Sequence, residues 1–505
     1  MTTRHLTKAA CAGLRADLRD LGYGQAESEA ATLFAQRLYP VPQHLRALDP
    51  TVVLVVGARG AGKSQLFRAF FKEDAEGLGP AILGRVTAEM WTAPARERST
   101  WINGYPAGIG FPDSDALTRE IDSEERAKEL WRLMLVRRLR NHLDPERLSR
   151  LRPVLEPMAA DLREVFEGAS VLAANPTAAL DELESRLERE DRWLFVGYDE
   201  LDTLGGFDWD LNSRLVRGLV AFWSDYSRRW QRIRAKVFLR SDLFRRHAGM
   251  ATADFAKLAA NRVELSWPHA AILGMLVKRI ANTSAGLAEY CRQAKVEFDR
   301  DDRLGLIPRV DNSEQARPLI ERMAGEFMGA NRKKGLVRNW VFDHLRDGVG
   351  AVSPRNFVRL FELAAGKESA NQTLRPPRLL HPTALRQALE DVSDDHVRQG
   401  VTGEWPWLDG VRRRLRLDPL APWTRHRIVA LLDSDEVDGW AAAGAGDVRP
   451  PEEDPVALLE YLVELGILRR RADDRLDVPD PYLYGLGLRR KGGVKVGRRS
   501  KRSRR

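Results

Sequence analysis

Apolar residues along this chain follow two rhythms. Short unbroken apolar runs occur at 52–56 (Val-Val-Leu-Val-Val), 81–87, 193–198, 235–240 and 262–266, and between them apolar positions recur at three- and four-residue spacing. Runs this short predict strands buried on both faces, and the spacing between them predicts helices, so the pattern is that of a parallel sheet covered on both sides. A helical lead-in is expected over 1–50, where Leu38-Tyr39-Pro40-Val41-Pro42 stops a helix running from Ala26 to Arg37. The α/β core spans 51–267 and carries a long, mostly helical insertion over 89–190, in which Glu124 to His142 brings Leu130, Leu133, Leu135 and Leu139 together. Helical spacing returns over 268–367, and Pro376-Pro377 and His381-Pro382 mark a linker over 368–382. A smaller C-terminal region, 383–485, is predicted to hold helices at 424–432 and 455–465, the second capped by Asp454 ahead of Pro455, then an Arg-rich hairpin over 467–478 turning near Ala472-Asp473-Asp474. Helix, helix, hairpin is the order of a winged helix.

The first strand runs straight into Gly57-Ala58-Arg59-Gly60-Ala61-Gly62-Lys63-Ser64, with Gln65 opening the helix behind it. This is the Gly-x-x-x-x-Gly-Lys-Ser spacing of a phosphate-binding P-loop in its strand-to-helix setting. Glycines let backbone N–H groups close round phosphates, and the helix N-terminus adds its positive dipole end. Lys63 is placed to reach the β- and γ-phosphates and Ser64 to ligate Mg²⁺. Hydrolysis also needs a carboxylate to order the metal and a group to position water. Residues 193–202, Trp-Leu-Phe-Val-Gly-Tyr-Asp-Glu-Leu-Asp, end an apolar strand with Asp199, the metal-side carboxylate, and Glu200, the candidate general base. Asp202 reads as a helix cap or ion-pair partner.

A strand-borne P-loop followed by an apolar strand ending Asp-Glu resembles the P-loop ATPases with an additional catalytic glutamate, of AAA+ and STAND type. The resemblance implies an α/β P-loop NTPase core with a parallel sheet and a helical lid over 268–367, to which the pattern of elements adds the helical insertion and a small C-terminal winged-helix-like domain. It also implies ATP and Mg²⁺ as cofactors. By the same resemblance Arg240, in Lys236-Val-Phe-Leu-Arg240-Ser241-Asp242, is the candidate sensor of the γ-phosphate, with Ser241 as its alternative. Arg355, in Ser353-Pro354-Arg355-Asn356-Phe357-Val358-Arg359, looks like the lid arginine of AAA+ and KAP-type chains, with Arg359 its near neighbour, and Arg262 lies where an inter-subunit arginine finger could sit. The likeness covers about residues 50–365 and departs in one respect: 135 residues separate Ser64 from Asp199, more than a minimal AAA+ module has. That favours STAND- or KAP-like chains, although KAP proteins typically carry membrane helices here. No Asn-Lys-x-Asp follows the aspartate motif, so ATP is preferred over GTP.

Composition changes this picture in one place. The 505 residues are 43% hydrophobic and 30% charged, an ordinary globular balance for two to four domains. No stretch reaches the roughly 18 uninterrupted apolar residues of a membrane span. Cys11 and Cys291 suggest no disulfide framework, so a cytoplasmic location without membrane contact is expected. The net charge of +9 comes from the tail: Arg489, Arg490, Lys491, Lys495, Arg498, Arg499, Lys501, Arg502, Arg504 and Arg505 are ten cations with no acid between them, and without them the charge is −1. A disordered tail over 486–505 of this kind is a candidate contact for DNA or RNA phosphates. The histidines are scattered with no His-Glu-x-x-His pattern, and Trp91 and Trp101 read as packing residues.

Three functions remain open at this point. The chain is an ATP-hydrolysing switch that couples nucleotide state to conformation or assembly, as a homo-oligomer or with a protein partner. Or it is a nucleic-acid-binding winged-helix protein with ATP as a structural or regulatory ligand. Or it is a scaffold subunit that binds ATP without turning it over. Some STAND- and KAP-like ATPases serve bacterial phage defence, which the resemblance suggests by association only.

Overall fold

The structure, a computed structural model, describes residues 6–22, 30–71, 98–106, 111–156, 161–171, 175–206, 208–248, 253–400, 403, 405–440 and 448–491. Two compact units are present, one built from the chain up to Arg338 together with Ser353–Pro382, the other from Asn339–Val352 and the chain from Thr383 onward.

The first unit is organised round five parallel strands: β1 (Leu54–Gly57), β2 (Ser99–Tyr105), β3 (Trp193–Tyr198), β4 (Ile233–Arg240) and β5 (Val263–Glu264), in the order β2-β3-β4-β1-β5. Successive strand side chains leave opposite faces, and here both faces are buried. Leu54 and Val56 join Leu194, Val196, Tyr198, Val237 and Leu239 on one face, packed under the helices Glu124–Arg138 and Trp209–Arg229 through Leu130, Trp131, Leu215 and Trp223. Val55, Phe195 and Phe238 belong to the other face, covered by Phe67, Phe70 and Phe71 of the Lys63–Phe71 helix and by Phe34 and Leu38. Both helices of the first face start on side-chain caps, Ser123 and Asp208, which take up N–H groups that the helix leaves unpaired. Lys236 is fully buried on the second face, and its Nζ donates to the carbonyls of Asp49 and Val52, tying β4 to the segment that leads into β1.

Helices His269–Thr283, Ala285–Gln293, Ser313–Ala324 and Pro354–Gly366, with the hairpin β6 (Phe298–Asp301) and β7 (Gly305–Pro308), complete this unit. Ser353 caps the last of these helices and Pro354 occupies its first turn, the pairing that the sequence announces. In the second unit, helices Arg425–Leu432 and Pro455–Glu464 precede an antiparallel hairpin, and β8 (Leu420–Ala421) comes just before the first of them. The hairpin strands are β9 (Arg469–Arg470) and β10 (Leu476–Asp477), and β8 pairs in parallel with β11 (Arg489–Arg490).

The structure departs from the sequence reading in two places. Residues 99–105, read as part of a helical insertion, are β2, the edge strand beside β3. Arg489, Arg490 and Lys491, expected in a disordered tail, stay within the second unit: β11 pairs with β8, and the Lys491 N–H donates to the Ala421 carbonyl at 2.8 Å. The expected strand 81–87, Trp91, and Lys495, Arg498, Arg499, Lys501, Arg502, Arg504 and Arg505 lie outside the described residues.

At Gly197, in the middle of β3, the Lys63–Phe71 helix packs tightly on the sheet. A Cβ built there would stand 2.7 Å from the Phe71 ring. Gly197→Ala is therefore expected to destabilise the protein by about 1–3 kcal/mol, as overpacking does, and Gly197→Ala with Phe71→Leu to recover part of that loss. Denaturant melts of the three proteins check this, and an unchanged Gly197→Ala midpoint would rule it out.

Candidate nucleotide site

The site lies at the carboxyl ends of the parallel strands, where open α/β sheets leave a crevice for ligands. Gly57 closes β1, and a Cβ on it would stand 3.1 Å from Leu265 Cβ and 3.2 Å from Ala61 Cβ, so the turn admits no side chain without displacement. Gly60 and Gly62 take φ of 73° and 95°, the left-handed region that lets successive N–H groups converge on an anion. Ala58, Arg59 and Gln65 are half-buried around them, while Ala61 is buried and its carbonyl accepts from Trp267 Nε1 at 2.8 Å. The His44 ring packs edge-on to Trp267 at 5.0 Å and bonds the Ser266 carbonyl at 2.7 Å. Burial holds the His44 imidazole below its ordinary value, so it braces the Trp267 side of the loop without adding charge.

Lys63 donates from Nζ to the carbonyls of Gly57 at 3.1 Å and Ala58 at 3.3 Å, curled back under the loop that it would serve. Ser64, the second residue of the helix, lies close enough to Asp199 to act on its carboxyl, and Asp199 stands one residue past β3 and is 2% exposed. Burial pushes the Asp199 carboxyl above the usual range. The Ser64 hydroxyl, the Lys63 charge and the Glu200 backbone N–H pull the other way, and the Asp202 charge adds to the rise. A hydroxyl and a carboxylate side by side, with a lysine near, are the hard oxygen donors a Mg²⁺ ion takes, so the residues present fit that ion.

Glu200 is exposed beside Asp199 and has φ of 55°, unusual for a residue with a side chain. Its carbonyl accepts from the Thr203 N–H at 3.1 Å and the Thr203 hydroxyl at 2.8 Å. Buried Asn212 fastens the next residue by donating from Nδ2 to the Leu201 carbonyl at 2.8 Å. A backbone strained at a polar strand end and held from several sides is a common arrangement at functional sites.

The three arginines are placed differently. Arg240 is 4% exposed and committed: Nε and Nη2 each donate to Asp242 at 2.6 Å, and Nη1 to Asp202 at 3.1 Å. Burial acts to raise the Asp242 carboxyl, and the Arg240 guanidinium outweighs it, holding the group below the usual carboxylate range. Arg262 is taken up by Glu264 at 2.7 Å, by the Ala259 carbonyl and by the Phe244 ring. Arg355 is exposed and makes no ion pair or side-chain hydrogen bond with another described residue. Its helix starts against the P-loop: a Cβ on Gly60 would meet Ser353 Oγ at 2.5 Å and Arg355 Cβ at 3.7 Å. Trp267, Asn212, Asp242 and Ser353 were not singled out from the sequence. Asp242 left a trace there as the acid two positions after Arg240, and Ser353 as the residue ahead of Pro354 at a helix start.

No protein-family model matches the sequence, and no curated protein is found to match it. Solved structures with some likeness include the Walker-type ATPase of Pyrococcus abyssi, 16% identical, over 89% of this chain and 95% of that one, with a TM-score of 0.34. The Aeropyrum pernix ORC2 protein in its ADPNP–ADP complexes is 14% identical over 92% of this chain and 96% of that one, with a TM-score of 0.35. Cdc6p from Pyrobaculum aerophilum is 13% identical over 86% of each chain, with a TM-score of 0.26. Likenesses this distant decide nothing about activity, and the functional reading rests on the geometry of the site. Among the described residues, no helix is long and apolar enough to cross a membrane.

The Asp199 carboxyl gives a test of this geometry that needs no ligand. Its folded-state value is raised above the unfolded one, so ionised Asp199 weakens the fold at neutral pH. That effect vanishes in acid below the unfolded value, where both states are protonated. Asp199→Asn is expected to melt at or above wild type at neutral pH, with the gap closing as the pH falls through the carboxylate range. Thermal melts over that range check it, and a variant that melts below wild type at neutral pH would contradict it.

Proposed function

We propose that this chain is a Mg²⁺-dependent ATPase of AAA+/STAND-like kind, a switch whose nucleotide state is read by the Pro354–Gly366 helix. The observation that carries the reading is the meeting of Ser64, Lys63 and Asp199, with exposed Glu200 next in line. Backbone groups of Gly57, Ala58, Arg59, Gly60, Ala61 and Gly62 would hold the phosphates, together with Lys63, Ser64 and Gln65 at the helix start. Lys63 would exchange two carbonyl partners for β- and γ-phosphate oxygens. Ser64 and Asp199 would hold Mg²⁺, which neutralises charge on those oxygens when bound. Glu200, steadied by Thr203 and Asn212, would take a proton from the attacking water and aim it in line.

The arginines divide by availability. Arg355 is uncommitted and begins a helix lying on Gly60, so it is the first choice for contact with the γ-phosphate. Arg240 could sense that phosphate only by giving up a carboxylate, which suits a latch better than a standing contact. Arg262 has the same obstacle in Glu264, and a role as finger in a neighbouring subunit requires that pair to open. Assembly or a protein partner would be the output of such a switch.

Glu200→Gln is expected to lower turnover by about 10²–10⁴-fold, the usual contribution of a general base, while Mg²⁺–ATP still binds. Arg355→Ala should lower kcat/KM and weaken ATP binding while sparing ADP. Steady-state hydrolysis and fluorescent-nucleotide titrations test both. Equal turnover by wild type and Glu200→Gln would remove the enzyme from this reading and leave a scaffold that binds nucleotide.

A further inference from the structure

Most arginines of the winged-helix-like region already have acids. Arg469 pairs with Asp477 at 2.8 Å, Arg470 with Glu460 at 2.5 Å, Arg475 with Asp473 at 2.6 Å, and Arg490 with Asp477 and Asp480 at 2.9 and 2.8 Å. A phosphate backbone approaching this hairpin would have to displace carboxylates. One loop of the first unit is built the opposite way.

Residues 325–335 read Gly-Glu-Phe-Met-Gly-Ala-Asn-Arg-Lys-Lys-Gly, with Glu326 the single acid. Phe327 and Leu336 form an antiparallel bridge. The Met328 N–H donates to the Gly335 carbonyl and the Val337 N–H to the Glu326 carbonyl, each at 2.9 Å, so the loop is closed at its base. Its tip is a single 3₁₀ turn, Arg332–Lys334, capped by the Asn331 side chain, which accepts from the Lys333 N–H at 3.1 Å. Arg332, Lys333 and Lys334 are exposed, and none of their side chains has a partner among the described residues. At the foot of the loop lies Arg378, also exposed and unpaired among the described residues, its guanidinium carbon 3.2 Å from where a Cβ on Gly325 would stand.

Successive side chains of a 3₁₀ turn point about 120° apart. The three cations therefore splay round the tip instead of lining one face. The surface that satisfies all three carries negative charge on more than one side, as a groove between two rows of phosphates does. Because the backbone is already bridged and capped, little ordering is needed on contact. We infer that the Gly329–Gly335 loop is a nucleic-acid contact that seats its tip in a duplex groove, with Arg332, Lys333 and Lys334 on phosphates and Arg378 supporting from the foot. The contact reads charge and shape and is blind to base sequence.

The test uses the full chain and a fluorescently labelled mixed-sequence DNA duplex, titrated by anisotropy across a salt series without nucleotide. The triple variant Arg332→Gln, Lys333→Gln, Lys334→Gln should weaken binding by about tenfold at low salt and flatten the slope of log K against log salt by about 2–3. A chain cut after Lys491 should bind more weakly overall yet keep the same loop effect. Fluorescent ATP binding, which does not involve this loop, verifies that the triple variant is folded. Should the triple fail that control, Lys333→Gln alone should flatten the slope by about 1. The inference is overturned if wild type binds no duplex, if the loop variants keep wild-type affinity and slope, or if cutting the tail abolishes all binding. It is also overturned if polyglutamate competes as well as DNA per charge, which would point to an acidic protein surface instead.

Discussion

The closeness of the Ser64 hydroxyl to the Asp199 carboxyl is the constraint on which the rest of the site depends. Asp199 follows β3 and Ser64 opens the helix that follows β1, and β4 separates those two strands, a distance of about 10 Å between strand axes. Register brings them together. Tyr198 stands opposite Val237, and Val237 opposite Leu54, so Asp199 ends its strand below the level at which β1 turns into the P-loop. The Lys63–Phe71 helix then runs back over the sheet and lowers Ser64 to meet it. Gly197 under Phe71 keeps that helix close enough. A slip of one residue in either pairing would send Asp199 to the other face.

Charge compensation then sorts the cations. Arg240 and Arg355 both lie near the carboxyl ends of the strands and both suit a phosphate, yet one is buried between two carboxylates and the other has no ion-pair partner among the described residues. Removing one partner from a buried ion pair is costly, whereas an exposed arginine changes partners freely. The same distinction separates the second unit's hairpin, with its arginines neutralised in place, from the Gly329–Gly335 loop. Density of arginine in the sequence is therefore a poor guide to which guanidinium groups lack a carboxylate among the described residues.

Much of this was legible in the chain. Strand β3 was predicted at the residues where it occurs, because six apolar or small positions between polar ends leave little choice. The helix starts at Ser353-Pro354 and Asp454-Pro455 were equally plain. Strand β2 was not. Its sequence, Ser-Thr-Trp-Ile-Asn-Gly-Tyr, lacks an apolar run, and Asn103-Gly104 reads as a turn. Tertiary packing overrides that signal: the strand is half-buried at the edge, its register slips between Asn103 and Tyr105, and a Cβ on Gly104 would stand 2.7 Å from Val196. The glycine marks close approach to a neighbouring strand. In the site, residue types were readable but commitments were not, since the closing of Asp202 and Asp242 on one guanidinium depends on contacts no spacing encodes.

The order in which the chain visits its two units has a mechanical consequence. It leaves the first unit after Arg338, passes through Asn339–Val352 in the second, and re-enters the first at Ser353. Ser353 is the residue that touches Gly60, and Arg355 follows two positions later. The helix start against the P-loop is thus continuous in the chain with a segment of the second unit. A change in the path of Asn339–Val352 would therefore be felt first, through peptide bonds alone, at the helix start that lies against Gly60.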